Sequence, residues 1–168
     1  GMQMKSFNKC ALIGLILCAS SLIGAANAGI LYGIDRSDNA LVSVDLETYS
    51  ATVVGDLGTA EKFGGLAYDQ YSDIMYMAGG RDNNSIYTID YSTGAATLLG
   101  DHGVHDVFGL AFDSINNVLY GSTTEDELYS FDLATGAATL VGTTGFNIGG
   151  LAFDSLLNKL IGIATGGW

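Results

Sequence analysis

Residues 88–114, TIDYSTGAATLLGDHGVHDVFGLAFDS, and residues 130–155, SFDLATGAATLVGTTGFNIGGLAFDS, are two copies of one pattern. Residues 43–70, SVDLETYSATVVGDLGTAEKFGGLAYDQ, are a looser third. Three anchors recur. One is GGLAYD at 64–69, FGLAFD at 108–113 and GGLAFD at 149–154. Another is an apolar opening, ILYGI at 30, IMYMA at 74, VLYGS at 118 and KLIGI at 159, so that successive starts lie 44, 44 and 41 residues apart. The last is Asp-x-x-Thr-Gly-Ala-Ala-Thr at 90–97 and 132–139, with Tyr49 and Ser50 replacing Gly-Ala in the first copy. A period of this length means stacked supersecondary units, either helical pairs or small sheets.

Local chemistry decides between them. The segments between turns are four to six residues long, rich in Leu, Val, Ile, Tyr and Phe, and bounded by Gly, Asp, Asn, Ser and Thr. These are strand and turn signals, too short for helices. Thr93-Gly94 and Thr135-Gly136 supply the positive-φ residue of a tight hairpin. Each period reads as four strands, GLAFD, VLYGS, ELYSFD and ATLVG, the pattern of a propeller blade. Strands apolar on both faces suit a sheet sandwiched between neighbours. Gly64-Gly65, Gly109 and Gly149-Gly150 fall on the innermost strand, where a missing Cβ permits close backbone approach.

The expected fold is therefore all-β, built of blades of four antiparallel strands: residues 30–73, 74–117 and 118–158, with a fourth starting at 159. The run G-L-A-F-D, x-L-Y-G, L-Y-S-F-D-x-x-T-G, A-T-L-V-G resembles the blade repeat of secreted bacterial β-propellers of the YVTN, NHL and six-bladed domain-of-unknown-function kinds. Such scaffolds host binders, lyases, lactonases and dehydrogenases alike, so the resemblance implies architecture rather than activity. With strands lettered A to D from the axis outward, the chain reads B-C-D, A-B-C-D, A-B-C-D, A-B. An arc of this size leaves sheet edges that native proteins cover. Two expectations follow: a homodimer closing a six-bladed ring, or a shortened version of a longer protein.

The first 28 residues stand apart. Gly1 ahead of Met2 reads as a tag scar, and Lys5 and Lys9 precede the run CALIGLILCASSLIGAANA. A basic start, an apolar stretch and an A-x-A site describe a secretory signal peptide cleaved before Gly29. An uncleaved membrane anchor is the alternative, since Ala11 to Ala26 approaches spanning length. Cleavage predicts an exported protein, periplasmic or extracellular, without membrane attachment. Both cysteines, Cys10 and Cys18, lie in this leader, so residues 29–168 depend on burial and hydrogen bonding rather than disulfides. Beyond residue 28, four basic residues face all eighteen acidic ones, a net charge of −14. That excludes nucleic acid and anionic membrane as partners, because each needs a basic footprint.

In propellers of the kind this chain resembles, the B-to-C and D-to-A loops share the ligand-binding face. The B-to-C loops are DRSDNA (35–40), GGRDNNS (79–85) and TTEDE (123–127); the D-to-A loops are DLGTAEK (56–62), DHGVHD (101–106) and TTGFN (143–147). Asp35, Asp38, Asp82, Glu125, Asp126 and Glu127 make a candidate ligand rim. His102 and His105, flanked by Asp101 and Asp106, are candidate ligands for zinc or another divalent cation. A solvated polar loop is the competing reading, as it is for the oxygen-rich clusters Asp35/Asp38/Asn39 and Asp82/Asn83/Asn84, whose other reading is calcium binding. Asp45, Asp90 and Asp132 open the hairpins of the other face, where turn capping explains them.

There is no nucleophile elbow, Walker loop or dinucleotide fingerprint. The single tryptophan, Trp168, is terminal and offers no docking platform for a quinone. The sequence thus favours a non-catalytic binding module for a protein, glycan or cation-bearing ligand. The alternative is a metal-dependent hydrolase or lyase centred on the His102–His105 loop.

Overall fold

A computed structural model describes residues 29–60 and 64–165; the leader and the reading of it lie outside these residues. Thirteen strands follow in chain order: β1 (Ile30–Asp35), β2 (Ala40–Asp45), β3 (Ala51–Asp56), β4 (Gly64–Asp69), β5 (Ile74–Gly79), β6 (Ser85–Ile89) and β7 (Ala96–Asp101). They continue as β8 (Val107–Asp113), β9 (Val118–Thr123), β10 (Glu127–Phe131), β11 (Ala138–Thr143), β12 (Ile148–Asp154) and β13 (Lys159–Ala164). Every paired strand is antiparallel to its neighbour in sequence. The result is a first sheet β1-β2-β3, a second β4-β5-β6-β7, a third β8-β9-β10-β11 and a fourth β12-β13. The strands group as B-C-D, A-B-C-D, A-B-C-D, A-B, so each sheet after the first takes its inner strand from the preceding one of the units 30–73, 74–117 and 118–158. The described residues lack the inner strand of the first sheet and the outer pair of the fourth.

Alternation of side chains explains why the sheets stack. Successive residues of a strand point to opposite faces, and in β5 both faces are buried. Met75 and Met77 pack with Leu41, Leu57 and Ile89 against the first sheet. Tyr76 and Ala78 pack with Leu110, Phe112 and Leu119 against the third. Tyr76 stacks on Phe112 at 5.6 Å between ring centroids, 15° from parallel. Each fully buried Leu, Ile or Met in these layers contributes about 1.5–3 kcal/mol.

The outer strands meet more tightly. A Cβ at Gly55 on β3 would lie 1.9 Å from the carbonyl oxygen of Thr93, in the outer hairpin of the next sheet. One at Gly100 on β7 would lie 1.8 Å from that of Thr135. The facing hairpins turn through Gly94 and Gly136 at φ of 84° and 76°. Glycine is needed on both sides of this joint, on one for space and on the other also for backbone conformation. On the inner strands, a Cβ at Gly65 would sit 2.8 Å from the amide nitrogen of Leu110. Gly65 and Gly109 thus make their close approach to the next inner strand, at Leu110 and Leu151, whereas Gly64 meets the Ala78 carbonyl of its own sheet.

Candidate functional site

The strand register separates two ends of the molecule. Ala40 pairs with both Asp35 and Asp56, Ser85 with Asp101, and Glu127 with Thr143. Loops 36–39, 80–84 and 124–126 therefore share one end with the linkers that follow Asp56, Asp101 and Thr143. The turns at 46–50, 70–73, 90–95, 114–117, 132–137 and 155–158 occupy the other.

At the turn end the aspartates are spent on structure. Asp45, Asp69, Asp90, Asp113, Asp132 and Asp154 each accept, through Oδ1, the backbone N–H two residues ahead at 2.8–2.9 Å. Such bonds stabilise a turn by about 1 kcal/mol. Three of these carboxyls lie below the usual carboxylate range: Asp45 through the Thr48 and Glu47 amides, Asp90 through the Ser92 hydroxyl and then its amide, and Asp132 through the Thr135 hydroxyl and then the Thr135 and Ala134 amides.

The loop end is mixed. Asp35 caps Ser37 N at 2.8 Å and Glu127 accepts the Tyr129 hydroxyl at 2.7 Å. Asp82 and Asp126 take left-handed backbone, φ 68° and 60°, which favours Asp or Asn there without any ligand. Asp38 and Glu125 are exposed. Among the described residues, the carboxylates of Asp38, Glu125 and Asp126 make no hydrogen bond or ion pair.

The His102 loop has a plain structural logic. Its three copies, Asp56-Leu57-Gly58, Asp101-His102-Gly103 and Thr143-Thr144-Gly145, turn through glycines at φ of 72°, 68° and 71°. The amide of the middle residue donates in each case to the neighbouring loop: Leu57 to Asn39 O, His102 to Asn84 O, Thr144 to Asp126 O. His102 thus occupies the position of Leu57, and both are buried. Its Nε2–H donates to the Gly79 carbonyl at 3.3 Å, its Nδ1 accepts the Val104 amide at 3.2 Å, and its ring meets Phe131 edge-on at 5.5 Å. Burial holds its pKa below the ordinary histidine value.

Both ring nitrogens are engaged, so neither is presented to a metal. His105 is exposed, Asp101 caps Gly103 N at 2.7 Å, and Asp106 stands 3.9 Å from the Arg81 guanidinium. The quartet His102, His105, Asp101 and Asp106 is not brought together, and no three His, Cys, Asp or Glu among the described residues are placed to hold a metal ion.

Three concave regions are formed by the described residues. On the axial side, Leu66-Ala67, Leu110-Ala111 and Leu151-Ala152 of the three inner strands line a shallow hollow of about 210 Å³. At its loop end it adjoins a cleft of about 420 Å³ lined by Ile34, Arg36, Gly64, Phe108 and Gly149. Sequence reasoning did not single out Arg36 or Phe108. The larger groove, about 480 Å³, runs beside β1 and is apolar and aromatic, with Leu31, Tyr32, Leu66, Tyr68 and Tyr91 in its walls. At its turn end both the Tyr68 and Tyr91 hydroxyls donate to Asp73, at 2.5 and 2.7 Å. The pair lowers the pKa of Asp73 and pushes that of Tyr68 up to about 12.

No family model matches the sequence, and a search of curated proteins returns no match. Solved structures do resemble it. A chain of a nidogen/laminin complex superposes at a TM-score of 0.66 with 15% identity over 82% of this chain and 53% of that one. A structural-genomics protein of unknown function from Bacteroides thetaiotaomicron gives 0.64 and 17% over 84% and 37%. An auxiliary nutrient binding protein from the same organism gives 0.61 and 17% over 83% and 34%. The fold is a β-propeller fold. The chain spans between a third and about half the length of these structures, so its described residues form an arc of propeller blades.

Proposed function

We propose that the chain is an exported, non-catalytic propeller module that binds a partner carrying positive charge at its loop end. One observation carries the reading: the turn-end aspartates are consumed as caps, whereas among the described residues the carboxylates of Asp38, Glu125 and Asp126 at the loop end are unpaired. On a chain this acidic the potential at that end is negative and attracts cationic groups over a Debye length. The adjacent cleft with Ile34 and Phe108 supplies an apolar seat for what the charge attracts. A structural neighbour named as a nutrient binding protein and another solved in a complex are in keeping with a binding role. The leader sequence supports export.

The test is titration of the protein with a lysine-rich peptide and with neutral oligosaccharides at low and high salt. Binding of the peptide that weakens with salt, and falls about tenfold in the triple variant Asp38→Asn, Glu125→Gln, Asp126→Asn, is the expected result. Equal binding by that variant removes the rim from the reading.

A further inference from the structure

The two ends of the arc are complementary, and that complementarity identifies what fits them. At one end β1 is an edge strand, and the groove of about 480 Å³ lies along it. In the second and third sheets the equivalent strands, β5 and β9, are covered on that edge by the inner strands β4 and β8. Ile30 and Leu31 are more than half exposed for want of such a cover. At the other end the fourth sheet has an inner strand, β12, but among the described residues no strand beyond β13, and Val141 of β11 is exposed where its counterparts Val54 and Leu99 are half-buried. The glycines tell the same story. Gly142 on β11 stands where Gly55 and Gly100 stand, and Gly150 where Gly65 and Gly109 stand. A Cβ at either meets nothing within 4 Å. They have the form of sockets for a further blade and, among the described residues, nothing fills them.

We propose that a second copy of this chain fills both ends: its β12 pairs with β1 in the groove, in place of its own β13, and two copies close head to tail into one ring of six blades. Each copy contributes two complete sheets, the strand β12 to one joint and β1–β3 to the other, with β13 left over. The exchange is between equivalent strands, since Leu31-Tyr32-Gly33-Ile34 of β1 repeats as Leu160-Ile161-Gly162-Ile163 in β13. Within a chain, β12 pairs Phe153 with Leu160 and Ala152 with Ile161, as β8 pairs Phe112 with Leu119 and Ala111 with Tyr120. In the joined blade Phe153 faces Leu31 of the other copy and Ala152 faces Tyr32. The outer hairpin of the incoming first sheet then lies against Gly142, continuing a joint the chain already makes twice.

One residue fits that joint badly. Tyr49, at φ 58° and 80% exposed, stands where the other hairpins have Gly94 and Gly136. A Cβ at Gly94 would be 2.5 Å from the carbonyl oxygen of Gly55. The joint between copies is therefore looser than the joints within one. Because both copies are strongly acidic, it tightens with salt, opposite to the behaviour proposed for the loop end.

Light scattering of the full chain is expected to give twice the chain mass, and the dimer should dissociate on dilution more readily at low salt. A single-chain mass, or open-ended polymers, would overturn the proposal, whether the groove is then filled by another segment of the chain or by another protein. Two single-cysteine variants made with Cys10 and Cys18 replaced by serine, Tyr32→Cys and Ala152→Cys, should become disulfide-linked when refolded together and oxidised, while neither links to itself. Absence of that link between folded proteins overturns the strand exchange. Gly142→Ala, which meets nothing in a single copy, should raise the dimer dissociation constant at least tenfold with the circular dichroism unchanged. Tyr49→Gly should lower it by a similar factor. No change in either variant overturns the outer contact.

Discussion

The joint between the second and third sheets and the bare outer face of the third are built from nearly the same residues. β7 reads Ala-Thr-Leu-Leu-Gly-Asp and β11 reads Ala-Thr-Leu-Val-Gly-Thr. In the first, Gly100 is pressed against the Thr135 carbonyl; in the second, Gly142 faces open space. What differs is only whether a neighbour is present. The glycine is a property of the repeat, and its energetic meaning is set by the next blade. Gly100→Ala should accordingly cost about 3 kcal/mol, because a backbone carbonyl cannot rotate aside as a side chain can. Gly142→Ala, in protein diluted to single copies, should change the urea midpoint by less than the equivalent of about 0.5 kcal/mol. Equal costs would mean that the inner joint yields, and the comparison would fail.

Apolar side chains sharpen the same contrast. Leu119 is fully buried between the second and third sheets, whereas Val141 on the open face is 54% exposed, although its counterpart Leu99 on β7 packs against the core. Truncation of Leu119 to alanine leaves a cavity and should cost about 2–5 kcal/mol. Truncation of Val141 to alanine in single copies should stay within about 0.5 kcal/mol. Denaturation at two protein concentrations separates the intrinsic cost from any contribution of a second copy.

The architecture was legible because repetition displays the same turn chemistry several times over. Asp-x-x-Thr-Gly marks the outer hairpins, and a left-handed Asp or Asn closes each inner one, at Asp73, Asn117 and Asn158. The site was less legible because it lies in departures from the repeat, and a departure does not announce its surroundings. His102 reads as half of a metal pair when taken with His105. Aligned with Leu57 and Thr144, it reads as the plug of a linker, and that alignment was present in the three loops D-L-G, D-H-G and T-T-G. The tyrosine groove had no linear signal, since Tyr32, Tyr68 and Tyr91 come from three separate strand and turn positions. Its one hint is Tyr91, which follows the hairpin aspartate where the other copies have Leu46 and Leu133.

A smaller effect follows from the His102 position. Its folded pKa lies below the unfolded value of about 6.5. The unfolded chain therefore binds the proton first as pH falls, and stability declines below about pH 6.5 through the folded pKa. His102→Gln should flatten the dependence of the urea midpoint between pH 7 and pH 5. An unchanged slope in His102→Gln would show that the buried imidazole is not its source.

The smallest effect contrasts the uncovered groove with the closed joints, and it is read best by spectroscopy. Asp73 accepts both the Tyr68 and Tyr91 hydroxyls, which favours the carboxylate and disfavours either phenolate. With its folded pKa lowered, Asp73 stabilises the native state above about pH 3.9, and the contribution is lost as pH falls through the folded value. The phenols carry the opposite sign. Tyr68 is pushed up to about 12, so its contribution holds below about pH 10 and is lost as pH rises through the folded value. An ultraviolet titration of the native protein should show a late-ionising phenol that Asp73→Asn returns toward the ordinary tyrosine range. In the same variant the acid limb of the stability curve should become shallower. If Asp73→Asn leaves the phenol titration unmoved, the carboxylate is not what holds these tyrosines, and the wall of the groove is looser than the buried Tyr76–Phe112 stack between the second and third sheets.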